Sequence, residues 1–293
     1  MSSNPHTLHT FGCSFTSYIW STWADILGQQ FESFRNYGLV GAGNTYIFNR
    51  VMQSIAQEKI KKDDTVIVMW STIVREDRFL EDKWQTPGCV YNQDYYDEGF
   101  MKYVQPEDFF IRDLAHIAAV YHALTSVGCK FTFTSMSPIS HIKEYLNHNF
   151  LDKLLRKSII DRFTKKYKTY IDFIRPSVFE VIYNNNWYSR YSECVQDINW
   201  YNSLRGPDWP SLTELELGNV KLSTEVEQEI CHLLQANNID EVLKFRLWKK
   251  IDYHPTPKLH LEYLDKVLPE IKISEQTRTL INEEQIRLLE PQV

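Results

Sequence analysis

Thr65 to Trp70 read TVIVMW, an unbroken apolar run of strand length. A strand with one wet face alternates apolar and polar residues. A continuous run is buried on both faces, as happens at the centre of a parallel sheet covered by helices. The rest of the first half fits that demand, because strand-like and helix-like segments alternate along it. Thr7 to Gly12 reads as a first strand, followed by a turn carrying Ser14 and a helix from about Tyr18 to Leu27. Phe31 to Tyr37 reads as a second strand, ending in the glycine-rich loop Gly38 to Asn44. Tyr46 to Glu58 is helical, with Ile47, Val51, Ser54 and Ile55 at helical spacing. Phe109 to Val127 is a long amphipathic helix stopped by Gly128, and Cys129 to Ser135 is the next strand. The expected fold is α/β, a single doubly wound, flavodoxin-like parallel sheet with flanking helices.

The second half is less regular. Helices are expected around Tyr145 to Tyr170, then a polar, aromatic-rich stretch holding Asn184, Asn185, Asn186, Trp187, Trp200 and Trp209. Residues 139–210 read as a candidate lid or insertion within one domain over residues 1–270, and no fifth strand declares itself. Leu259 to Val267 reads as a closing helix, and residues 271–293 as a charged tail that packs outside or projects.

Composition excludes several classes of function. A net charge of −6 is wrong for neutralising nucleic-acid phosphates and is repelled by an anionic membrane surface. The basic stretch from Lys153 to Lys168 reads as a solvated helix face. No run approaches the roughly 18 apolar residues of a membrane span. The start, MSSNPHTLHTF, lacks the basic and apolar regions of a signal peptide, so a cytoplasmic protein is expected. Five cysteines, an odd number with no C-x-x-C pair, suit a reducing compartment. No H-E-x-x-H or zinc-like Cys/His spacing occurs, so neither metal nor cofactor is expected.

Three short blocks could carry chemistry. Half of the ten glycines (Gly12, Gly28, Gly38, Gly41 and Gly43) fall in the first 43 residues, four of them at the C-terminal ends of the first two strands. Ligands bind at that edge of an open parallel sheet. Phe11-Gly12-Cys13-Ser14-Phe15-Thr16 sets a serine just past a strand, where it can face a pocket at the start of the next helix or merely cap that helix. Asn36 to Asn44 (NYGLVGAGN) can aim backbone N–H groups at an oxyanion, or be a plain tight turn. Asp252-Tyr253-His254-Pro255-Thr256-Pro257 places an Asp two residues before a His in a proline-stiffened loop. Such a loop can hold an imidazole for general-base work, or be ordinary surface.

Together the blocks resemble the SGNH (GDSL-like) hydrolase superfamily, and their wording is similar to divergent members found in phage and environmental sequences. The resemblance spans Thr7 to Val267. It implies Ser14 as nucleophile, Asp252 and His254 as the other triad members, and the N–H groups of Ser14 and Gly41 as an oxyanion hole. The chain departs from the family at two places. Cys13 replaces the usual Asp of the first block, and this thiol is itself an alternative nucleophile. Where the family has G-x-N-D after the third strand, this chain reads Met69-Trp70-Ser71-Thr72, followed by Arg75 and Asp77, with no Asn. Ser71 or Thr72 is expected to donate instead, or Arg75 to reach in. Loss of one such donor typically costs about 10²–10³ in rate.

The function so implied is a serine esterase working through an acyl-enzyme. Its expected partner is a small-molecule or glycan ester, in particular an O-acyl group on a carbohydrate, with Arg75, Trp187, Trp200 and Trp209 binding substrate. A lipase or thioesterase would need an apolar groove. The non-enzymatic alternative is an inactive SGNH-fold module with a structural or binding role, for instance in a virus particle. His260 reads as a packed or helix-surface residue. The sequence does not fix the oligomeric state.

Overall fold

The computed structural model describes residues 6–90, 96, 98–101, 103–139, 153–184, 223–226, 228, 232 and 254–289. Strands β1 (Thr7–Phe11), β2 (Ser33–Asn36), β3 (Thr65–Trp70) and β6 (Lys130–Ser135) form one sheet in the order β2-β1-β3-β6, every pair parallel. Between β3 and β6 in sequence lies a separate antiparallel hairpin of β4 (Arg75–Leu80) and β5 (Lys83–Cys89). The helices are α1 (Trp23–Gly28), α2 (Asn44–Ala56), α3 (Glu98–Met101), α4 (Pro106–Val127), α5 (Lys153–Lys166), α6 (Lys168–Asp172), α7 (Val178–Tyr183), α8 (Pro257–Val267) and α9 (Glu275–Leu289).

Val66 to Trp70 of β3 are all buried, as the apolar run requires. Helices cover both faces of the sheet. Phe133 of β6 packs edge-on against Tyr121 of α4, while the next residue, Thr134, hydrogen-bonds the hydroxyl of Tyr263 on α8. Successive strand residues point to opposite faces, so α4 and α8 lie on opposite sides. Helices α2, α5 and α6 contact α4, and α1, α7 and α9 contact α8. The chain enters at β1, steps out to β2, then returns past β1 to β3. This doubly wound pattern puts its switch point at the C-terminal ends of β1 and β3.

α4 shows how local chemistry sets an element's ends. Pro106 opens the helix, where its missing N–H costs nothing. Glu107 and Asp108 complement the positive end of the helix dipole. Gly128, at φ 76°, adopts the left-handed cap and donates to the carbonyls of Leu124 and Thr125.

Three elements differ from the sequence expectation. The first helix starts at Trp23 rather than near Tyr18. Thr22 stops it from extending backward: its amide donates to Asp25 Oδ2 (2.9 Å) and its hydroxyl to the carbonyl of Thr16 (2.8 Å). Ser14 therefore sits in a turn, not at a helix N-terminus. The β4–β5 hairpin was not foreseen, because its two-residue turn, Glu81-Asp82, carries positive φ values of 49° and 59° without the usual Asn or Gly. The fifth strand position is reduced, among the described residues, to one parallel bridge between Phe133 and Ile174. Pro176, two residues on, has no N–H with which to extend a ladder. The residues after Pro269 include α9, whose Thr277, Ile281 and Gln285 are buried. No helix among the described residues is long and apolar enough to cross a membrane.

Acid stability should reflect buried imidazoles. Burial, then the charge of His254, pushes His260 down to about 3. Burial, then Arg112, lowers His116 to about 4, and burial lowers His9 despite its contact with Asp64. Below pH 6.5 the unfolded chain binds protons that these folded imidazoles refuse, so each costs up to about 1.4 kcal/mol of stability per pH unit as pH falls. Asp113, raised to about 6 by burial, works in the opposite sense. Urea unfolding of wild type and His260→Leu between pH 6.5 and 4.5 isolates one histidine, since Asp113 is common to both. The variant's stability should fall less steeply with acid, and parallel slopes would contradict this.

Candidate active site

The C-terminal ends of the four parallel strands share one edge of the sheet, and Ser14, the Gly41 loop, Ser71 and Met136 all follow directly from those ends. After β1 the chain passes through Gly12 into a turn in which the amides of Thr16 and Ser17 donate to the Cys13 carbonyl. A Cβ at Gly12 would stand 2.0 Å from Thr16 Oγ1 and 3.2 Å from the Met69 carbonyl oxygen, so only glycine lets the turn close against β3. The Cys13 thiol is buried and donates to Met136 Sδ (3.7 Å), while the next residue sends its hydroxyl the other way.

Ser14 Oγ lies 2.8 Å from Nε2 of His254, a residue 240 positions away in sequence. With the proton on Nδ1, Nε2 accepts from the serine hydroxyl. The His254 ring stacks on Tyr18, with centroids 4.0 Å apart and planes 19° apart, and meets Phe15 at 5.1 Å in a tilted contact. The loop beyond it is gripped through its backbone, since Trp20 Nε1 donates to the Pro255 carbonyl (2.9 Å). α9 braces both loops. Glu284 Oε1 accepts from the Ser21 amide (2.9 Å), and Gln285 Oε1 accepts from the Lys258 amide (3.2 Å), an orphan N–H in the first turn of α8. His260 is packed in the core.

The Gly41 loop is fixed by polar side chains whose role no local motif signals. Asn36 Nδ2 donates to the Thr16 carbonyl (2.8 Å) and its Oδ1 accepts from the Gly38 amide (2.9 Å), tying this loop to the Ser14 turn. Gly41 is at φ 76°, and a Cβ there would lie 2.1 Å from the carbonyl oxygen of Thr86 on β5. Thr86 Oγ1 also donates to the Val40 carbonyl (2.8 Å). Asp77 of β4 accepts from the amides of Gly43 (2.7 Å) and Tyr46 (2.8 Å), capping α2 from outside its own segment. Burial pushes the Asp77 carboxyl up, against those two amides. The unforeseen hairpin is thus the wall behind this loop.

The third strand end has no Asn of its own, but Asn44 reaches it from α2. Its Oδ1 accepts from the Ser71 amide (2.7 Å), and its Nδ2 donates to the Ser71 carbonyl (3.3 Å) and to Asp113 Oδ2 (2.7 Å). Asn44 is fully buried, and its amide is committed to the Ser71 backbone and the Asp113 carboxylate. Ser71 Oγ is buried and has no hydrogen-bond partner among the described residues. Thr72 Oγ1 accepts from Arg75 Nε (3.1 Å). The buried Arg75 guanidinium also donates to the Ala42 carbonyl (3.0 Å) and approaches Met136 Sδ (3.9 Å), so it links three of the four strand ends. Asp252, Trp187, Trp200 and Trp209 lie outside the described residues. Among the described residues no group of three or more His, Cys, Asp or Glu could hold a metal ion.

No protein-family model matches the sequence, and no curated protein matches it. Several solved structures are similar. A candidate lipolytic protein of the G-D-S-L family from Desulfitobacterium hafniense shares 17% identity over 60% of this chain and 79% of its own, with a TM-score of 0.32. A member of the lipolytic protein G-D-S-L family from Veillonella parvula shares 12% over 62% of this chain and 82% of its own, also at 0.32. A candidate acylhydrolase from Bacteroides fragilis shares 12% over 50% of this chain and 63% of its own, at 0.28. These superpositions are loose, and what the site can do is read from its own residues.

Two substitutions test the wall behind the loop. Gly41→Ala meets both an unfavourable φ and the Thr86 carbonyl, and should cost about 1–3 kcal/mol in urea unfolding. Asp77→Ala removes the cap of α2 and should cost about 0.5–2 kcal/mol. A Gly41→Ala protein as stable as wild type would show that the loop is not held this tightly.

Proposed function

We propose that this protein is a serine ester hydrolase in which Ser14 is the nucleophile and His254 its general base. The observation that carries the reading is the 2.8 Å contact between Ser14 Oγ and His254 Nε2 at the carboxyl edge of a doubly wound sheet. A serine hydroxyl is a weak nucleophile alone and needs an adjacent base. As Ser14 Oγ bonds to an ester carbonyl carbon, its proton passes to Nε2 and the carbonyl oxygen takes the negative charge. Among the described residues nothing accepts from the amides of Ser14 or Gly41, which supports their serving as donors to that oxygen. Collapse of the intermediate breaks the ester C–O bond, and the imidazolium returns its proton to the departing alcohol. Water then repeats the sequence on the acyl-serine. Asp252 is the residue we assign to hold the Nδ1–H tautomer.

The substrate we propose is an O-acyl ester on a carbohydrate. Its support is compositional: the Asn- and Trp-rich stretch containing Trp187, Trp200 and Trp209 suits stacking on sugar rings. The rival reading, an inactive structural or binding module, draws support from the missing Asn and from the commitment of Asn44 to backbone.

A fluorophosphonate probe read by intact mass separates the two. Wild type should take one adduct, on the peptide containing Ser14. Ser14→Ala and His254→Ala should take none, and Cys13→Ala should label much as wild type because that thiol is buried. Asp252→Asn should slow labelling by up to about 10⁴-fold while leaving the fold intact. A folded wild type that neither labels nor hydrolyses simple esters favours the module.

A further inference from the structure

The contact that fixes the plane of the His254 imidazole among the described residues is a ring face. Tyr18 lies 4.0 Å from it, centroid to centroid, with only 19° between the planes. The stack is itself built in. Trp20 meets Tyr18 edge-on at 4.7 Å and 79°, and its indole N–H holds the carbonyl of Pro255, next to the histidine. Phe15 closes on the imidazole at 5.1 Å. Ser14, Phe15, Tyr18 and Trp20 all lie on the one loop after β1, so a single segment carries both the serine and the rings that clamp the imidazole.

We propose that Tyr18 is a positioning residue for His254: its ring face sets the plane of the imidazole and stabilises the imidazolium formed when Ser14 gives up its proton. A stack occupies the face of the imidazole and does not compete with in-plane hydrogen bonds at its nitrogens, one of which is the bond to Ser14 Oγ. The electron-rich face of a phenol ring attracts a cation held within about 6 Å, and attracts a neutral imidazole less. The stack therefore favours the charged state that exists only while Oγ is bonded to the ester carbon, and this difference lowers the barrier. When the leaving alcohol takes the proton back, the preference ends. Among the described residues, these ionisable groups stand near the imidazole or its flanking backbone. His260 on α8 stays neutral, burial and the charge of His254 having lowered it to about 3. Glu284 on α9 accepts from the Ser21 amide, Lys258 on α8 is exposed, and Asp252 is two residues away in sequence.

This inference rests on the esterase reading for its catalytic part, and the test keeps the two apart. The full chain is labelled with ¹³C at histidine, and the His254 ring resonance is titrated in wild type, Tyr18→Phe, Tyr18→Leu and a variant with 4-cyanophenylalanine at position 18. The last keeps the ring's shape but withdraws electrons from its face, so it reports even if the leucine variant folds poorly. Tyr18→Phe should titrate with wild type. Tyr18→Leu should move the midpoint to lower pH by about half a unit to one unit, and the cyano variant should move it in the same direction. Fluorophosphonate labelling should slow about three- to tenfold in the leucine variant, with phenylalanine restoring it. An unmoved midpoint in both the leucine and cyano variants overturns the proposal, as does a phenylalanine variant that shifts as far as leucine. If the titration responds as stated but wild-type Ser14 never labels, the stack stands and the esterase reading falls.

Discussion

Val66 to Trp70 expose almost nothing to water on either side of β3, and that burial can be satisfied only if helices lie on both faces of the sheet. The helices on both faces are the crossovers that parallel strands need, and every pair in this sheet is parallel. Parallel strands send every strand end to one edge. The convergence of Ser14, the Gly41 loop and Ser71 is thus a consequence of how one apolar hexapeptide is solvated. The switch point between β1 and β3 opens the crevice there, and the nucleophile candidate follows β1 directly.

What holds the converged loops is polar. Asn36 ties the Gly41 loop to the Ser14 turn, Asn44 brackets Ser71, Asp77 caps α2, and Arg75 links Ala42, Thr72 and Met136. Each of these groups is largely withdrawn from water and has at least one partner on another segment. Such a network is rigid when satisfied and costly when one member is removed, because the survivors keep their desolvation without their bonds. The Asn that the third block lacks is matched by an Asn that supports the same strand end from behind. Ser71 Oγ is the hydroxyl left over at that point.

Much of this frame was legible from residues alone. β3 announced itself by continuity, α4 by its period and its closing glycine, and the three chemical blocks by glycine, serine and histidine in proline- or glycine-rich loops. The start of α1 was misread for a tertiary reason. Tyr18-Ile19-Trp20 has the apolar look of a helix, but Tyr18 is drawn to His254 and Trp20 to Pro255. The hairpin escaped because Glu81 and Asp82 adopt positive φ without a turn signature. The supporting roles of Asn36, Asn44 and Asp77 escaped for a different reason: a polar residue's partner is invisible until distant backbone arrives beside it.

The contact between Ser14 and His254 closes a loop of nearly the whole chain. Loop closure grows only with the logarithm of length, about 0.6 kcal/mol per doubling, so such a span is tolerable at equilibrium. Kinetically it is otherwise, because contacts between remote segments form after local ones. The imidazole and the hydroxyl stand on segments 240 positions apart, which the sheet and its helical layers bring together. On the esterase reading, a chain in which these remote segments have not yet met carries an ordinary serine hydroxyl with no base beside it.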